Sequence, residues 1–112
     1  MKVAFDGIGR ESATFMVLSG KVGNVCKMAQ NGVVKACSAG DDFIGVMEAY
    51  RGGYGSIMLH GFAEVAYTGT APSVGYVKLV ADGNGGVKIG EGMKVRLVAA
   101  VDEDRKTAVI EL

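Results

Sequence analysis

Eighteen glycines and a single proline are spread through 112 residues, and the glycines fall between short runs of Val, Ile, Leu, Ala and Tyr. Glycine reaches positive φ without steric cost, so it is the residue that tight turns select. A chain punctuated in this way reads as strands joined by hairpins. The expectation is a small all-β domain, an antiparallel β-barrel or tulip-like arrangement of hairpins with an extended N-terminal arm.

The segment 1–13 (MKVAFDGIGRESA) carries two glycines and a charge cluster without a clean period of either kind. It reads as an arm that is ordered only when something holds it, leaving 14–112 as a single β domain. Strands are expected over 15–18, 22–29, 33–37, 43–47, 54–67, 75–81, 87–89, 93–101 and 107–112. Gly61 interrupts the long fifth run and marks a bend or bulge. Asn31-Gly32 and Asp82-Gly83-Asn84-Gly85-Gly86 are hairpin turns. In 93–101, Lys94 and Arg96 alternate with Met93, Val95 and Leu97, the period of a half-buried strand. About eight or nine strands at this spacing suit a barrel or sandwich. The stretch 48–51 has room for one turn, stopped by Gly52-Gly53, and no helix is expected.

Composition narrows the function classes. At 49% hydrophobic residues the chain can build a core. Twelve basic and twelve acidic side chains cancel, which argues against general nucleic-acid binding and against a polybasic membrane anchor. The apolar runs are far shorter than the roughly 20 residues that cross a bilayer. Met1 to Gly7 lacks the apolar block of a signal peptide, so the expectation is a protein made and kept in a cytoplasm.

Cys26 and Cys37 are the two cysteines. A hairpin centred on Asn31-Gly32 pairs Gln30 with Val33 and, counting outward, Cys26 with Cys37. That count places them at a hydrogen-bonded pair, where Cα atoms are about 5.5 Å apart and side chains diverge. With no export signal they are read as reduced, half-buried thiols. One His and two Cys do not supply four zinc ligands.

The chemical motifs fail on inspection. Gly20-Lys21 has Phe15 and Val22 where a phosphate-binding loop needs Gly and Ser or Thr. Gly7-Ile8-Gly9 lacks the third glycine of a dinucleotide site. Asp82, Asn84 and Gly86 echo a calcium loop, but Val87 stands at its required glycine and Met93 at its last carboxylate. His60 has no partner in a recognisable motif and reads as structural or interfacial. No catalytic residue, metal or cofactor is expected. Tyr50, Tyr54, Tyr67 and Tyr76, with Phe62, either form an aromatic contact surface or fill a small barrel that has no Trp.

Several segments together resemble a known pattern: Gly20-Lys21-Val22, the loop and strand from Ala39-Gly40-Asp41-Asp42 to Phe43-Ile44-Gly45-Val46, the strand from Ile57 to Phe62, and Ala81-Asp82-Gly83-Asn84-Gly85-Gly86. The pattern is that of the small β-rich capsid decoration, or cement, proteins of tailed bacteriophages and prophages, and the resemblance covers roughly 14–112. It implies a non-catalytic structural protein of the virion head surface, made in the bacterial host cytoplasm. Its partners would be the major capsid protein and itself, as a homotrimer. It further implies that Val3, Phe5, Ile8 and Arg10 engage the capsid by edge-strand addition, while Tyr50, Tyr54 and Tyr67 make subunit contacts. The alternative is a small monomeric β-barrel that binds a sugar or peptide through its tyrosines.

Overall fold

Hydrogen bonding closes the first five strands on themselves. The structure, a computed structural model, describes residues 10–112. In it β1 (Glu11–Val17), β2 (Val25–Gln30), β3 (Val33–Ala36), β4 (Gly45–Arg51) and β5 (Tyr54–His60) form a barrel in the order β1-β3-β2-β4-β5. β5 returns to pair with β1 along Ser12↔Met58 to Met16↔Tyr54. The second half is a sheet of β6 (Phe62–Ala66), β7 (Gly75–Ala81), β8 (Val87–Ile89), β9 (Val95–Asp102) and β10 (Thr107–Glu111), in the order β6-β10-β9-β7-β8. A parallel bridge Tyr67↔Val87, with the Thr68 N–H donating to Val87 O at 3.0 Å, draws the two edges of that sheet together at one end.

Alternation sorts each barrel strand into two faces. Cys26, Val34, Met47 and Ile57 point into the barrel, and Phe15, Val17, Ile44 and Leu59 close around them. Val25, Val46 and Met58, on the opposite parity, join Phe43 in a second cluster with the inner face of the other sheet, including Val65, Leu79, Val98 and Ile110. The two halves therefore share one core. The 82–86 turn ties them again, because Gly85 O accepts from the Val25 N–H at 2.9 Å.

The all-β class and the barrel agree with the sequence reading, as do the break at Gly61 (φ 111°) and the turn at Gly32 (φ 71°). Four details differ. Among the described residues there are ten strands, because Gly61 divides 54–67 into two. The β1–β3 pair is parallel, Met16 lying against Val33 and Val17 against Val34, since the 18–24 crossover and the β2–β3 hairpin bring β3 back beside β1 in the same sense. Residues 48–51 continue β4 as a strand. And β1 begins at Glu11, inside the segment read as an arm, because Ser12 and Ala13 pair with Met58 and Ile57.

The cysteine pairing also moves. Gln30 does oppose Val33, but a bulge between Met28 and Gln30 shifts the rest, so Cys26 faces Ala36. Cys26 then lies inside the barrel, while Cys37 packs on the shared core beyond the end of β3, and both thiols are free. Burial pushes Cys26 up to about 12 and Cys37 up to about 11, each carrying a smaller upward push from a neighbouring group.

Candidate functional surfaces

One row of side chains crosses the outside of the barrel. Register places Arg51 opposite Tyr54, Tyr54 opposite Met16, Met16 beside Val33, and Val33 opposite Gln30. Interior parity belongs to Val17, Val34 and Gly55, so this row faces outward, although Val33 within it is covered and buried. Tyr54 is 52% exposed and Met16 48%. Tyr50, Leu18 and Met28 are also exposed. Arg51 stands at one end of the row, and Lys27, on β2, is engaged by Asp41 at 2.5 Å. That contact and the Ser38 N–H hold the Asp41 carboxyl below its ordinary range.

Below the row lies a polar clamp. The bulge between Met47 and Ala49 makes Glu48 the extra residue of β4 and turns its carboxylate across two strands. Ser56 Oγ donates to Glu48 Oε1 at 2.9 Å, Ser12 Oγ donates to the same oxygen, and Arg10 Nη2 donates to Oε2 at 2.7 Å. The Ser12 hydrogen bond, with those from Ser56 and Arg10, outweighs partial burial and lowers the Glu48 pKa. A carboxylate with a depressed folded pKa contributes stability above its unfolded value and loses it as pH falls through the folded one. Glu48→Gln is expected to cost about 1 kcal/mol at pH 7, after discounting for solvent screening. The gap to the unsubstituted chain should narrow steadily below about pH 4.5. Thermal unfolding of both chains at pH 7 and pH 3 checks this; an equal gap at both values would contradict it.

A second surface lies on the outer face of β7 and β9. Tyr76 is directly opposite Leu97, and Lys78 opposite Val95, on the side away from the core residues Val77 and Leu79. Tyr76 is 76% exposed and Val95 47%. Val74 precedes this strip and Met93 follows it, both strongly exposed. Behind the strip, Arg96 turns inward. Its guanidinium carbon lies 4.4 Å from the centre of the Phe43 ring, and Nη2 donates to Phe43 O at 2.7 Å. Burial lowers its pKa, partly offset by the charge of Asp42.

Of the residues singled out from sequence, Tyr50 and Tyr54 lie at the barrel surface. Tyr67 does not: it is buried in the shared core, its ring facing Lys106 Nζ at 5.8 Å. The bridge to Val87 pulls it inward, so it fills the sheet and offers little surface for a subunit contact. Arg10 is engaged with Glu48, and Val3, Phe5 and Ile8 lie outside the described residues. His60 is exposed at the end of β5, opposite Glu11. Among the described residues no group of three His, Cys, Asp or Glu side chains is placed to hold a metal. The β7–β9 strip was not picked out as a unit. Its signal was the alternation of Met93, Val95 and Leu97, which marks one apolar face without saying that Arg96, and not the apolar set, points inward. No family model matches the chain, and no curated protein matches it in sequence.

Proposed function

We propose that this chain is a head decoration protein of the tailed-bacteriophage kind, a non-catalytic β module that binds the outer surface of an assembled capsid and stabilises it. The observation that carries the reading is the outward row Arg51–Tyr54–Met16 on the barrel, an apolar and aromatic surface with an arginine at one end. Tyrosine and arginine are the residues that concentrate binding energy in interfaces. The segment resemblance supplies the partner, and Arg10, just before β1, is held to Glu48 of β4. The barrel axis is filled by side chains such as Met47 and Ile57, so a small ligand would have to bind on the outside.

Co-sedimentation with expanded, undecorated heads tests the reading. Saturable binding at a fixed ratio to capsid subunits is expected, and a chain lacking residues 1–9 should fold yet bind at least tenfold more weakly. Absence of binding by the folded full chain would sink the decoration role. Equal binding by the truncated chain would remove the arm from it.

A further inference from the structure

The β7–β9 strip is larger than an isolated exposed side chain. Tyr76 and Leu97 pair across the strands, Val95 lies one step along, and Val74 and Met93 extend the strip at its ends. Together they offer on the order of 500 Å² of apolar surface, against about 800 Å² per partner in a standard interface. Its border carries both signs. Lys78 and Glu91 approach only to 3.8 Å and stay 52% and 95% exposed, and Lys94 lies alongside. The chain as a whole has no net charge.

We infer that this strip is a self-association surface, and that its occupant is the same strip of a second copy of this chain. An isologous contact requires a patch complementary to itself. An apolar centre meets that requirement directly. The mixed border meets it as well, because two-fold copies bring no block of like charge together and Lys78 of one copy can be met by Glu91 of the other. The contact is strip to strip and so yields a dimer, whereas the homotrimer implied by the resemblance needs two different surfaces per contact. It goes beyond the decoration reading and can fail separately from it.

Sedimentation velocity of the full chain at about 5–200 µM, in low and 0.5 M salt, is the test. A concentration-dependent dimer is expected, little weakened by salt because the centre is apolar. Tyr76→Glu combined with Val95→Lys should shift the dimer midpoint at least tenfold while the circular dichroism spectrum is kept, since both side chains are exposed. Tyr54→Glu on the barrel row should leave the dimer unchanged. A chain monomeric throughout the range, a trimer, or a dimer lost in Tyr54→Glu but retained in the strip variant would each overturn the inference. Head binding by a strictly monomeric chain would refute it and leave decoration standing; a strip dimer without head binding would do the reverse.

Discussion

Gly45→Val is expected to abolish folding at physiological temperature or to cost at least about 3 kcal/mol, in the upper range of overpacking effects. Gly45 opens β4, one residue before the pair Val46↔Met58 that joins it to β5. A Cβ built there meets the carbonyl oxygen of Met58, with Met58 C at 3.0 Å and Ile57 Cγ2 at 3.1 Å. The obstacle is backbone, which cannot rotate aside as a side-chain tip would. Gly45 also faces Cys26 on the other flank, and the Cys26 thiol reaches Gly45 O at 3.7 Å, so the strand cannot retreat in that direction either. Closure of the barrel leaves no free edge to absorb the displacement. At about 4–8 °C per kcal/mol for a domain near this size, thermal unfolding should drop by more than about 12 °C. Gly40→Ala makes a useful contrast: nothing stands within 4 Å of its Cβ, and only its φ of 89° opposes the change. If Gly45→Val unfolds within about 3 °C of the unsubstituted chain, the close approach of β4 and β5 is wrong.

Gly45 also shows what could be read from the chain before its structure. The Ile-Gly-Val run marked a strand, and glycine within a strand marks a close approach or a bend. At Gly61 the mark meant a bend, and at Gly45 a close approach; the sequence carries the same letter for both. Turn chemistry was legible for a similar local reason. Asn31-Gly32 and the 82–86 stretch demand their own backbone geometry, and in the latter Asp82 Oδ1 accepts from the Asn84 and Gly86 N–H groups at 2.7 and 3.1 Å. What local chemistry does not hold is register across a bulge. The extra residue between Met28 and Gln30 separates Cys26 from Cys37, and the one at Glu48 turns its carboxylate outward to grip β1. Neither leaves a mark in composition.

The surface was harder to read than the core. Four tyrosines look alike in sequence, yet Tyr67 is buried while Tyr76 is the most exposed of them. The difference is set by long-range pairing: Tyr67 bridges to Val87 at the closing edge of the second sheet, and Tyr76 pairs with Leu97 on its outer face. Arg96 is the converse case, a charged residue at an alternating position that lies inward because Phe43 offers it both a ring face and a carbonyl.

Ile57→Ala should be the second severe substitution, at about 3–5 kcal/mol, the upper part of the range for removing a large buried aliphatic side chain. Ile57 is fully buried among Cys26, Val34 and Met47 inside the barrel. The cost of such a truncation depends on how far the surroundings collapse into the space. Here β5 is hydrogen-bonded on both sides, to β1 through Ala13↔Ile57 and to β4 through Met47↔Ile57, so the strands cannot close in. The cavity persists, and its lining loses contacts outright. Ile57→Val, removing one methylene, should cost only about 0.5–1.5 kcal/mol. Because Met58 faces the shared core while Ile57 faces the barrel, the loss should pass to both halves and leave one cooperative transition. Urea unfolding followed by circular dichroism and by tyrosine fluorescence reads both quantities. A cost below about 1 kcal/mol for Ile57→Ala would mean the barrel interior is loosely filled. Two separated transitions would mean that the barrel and the second sheet stand on cores of their own.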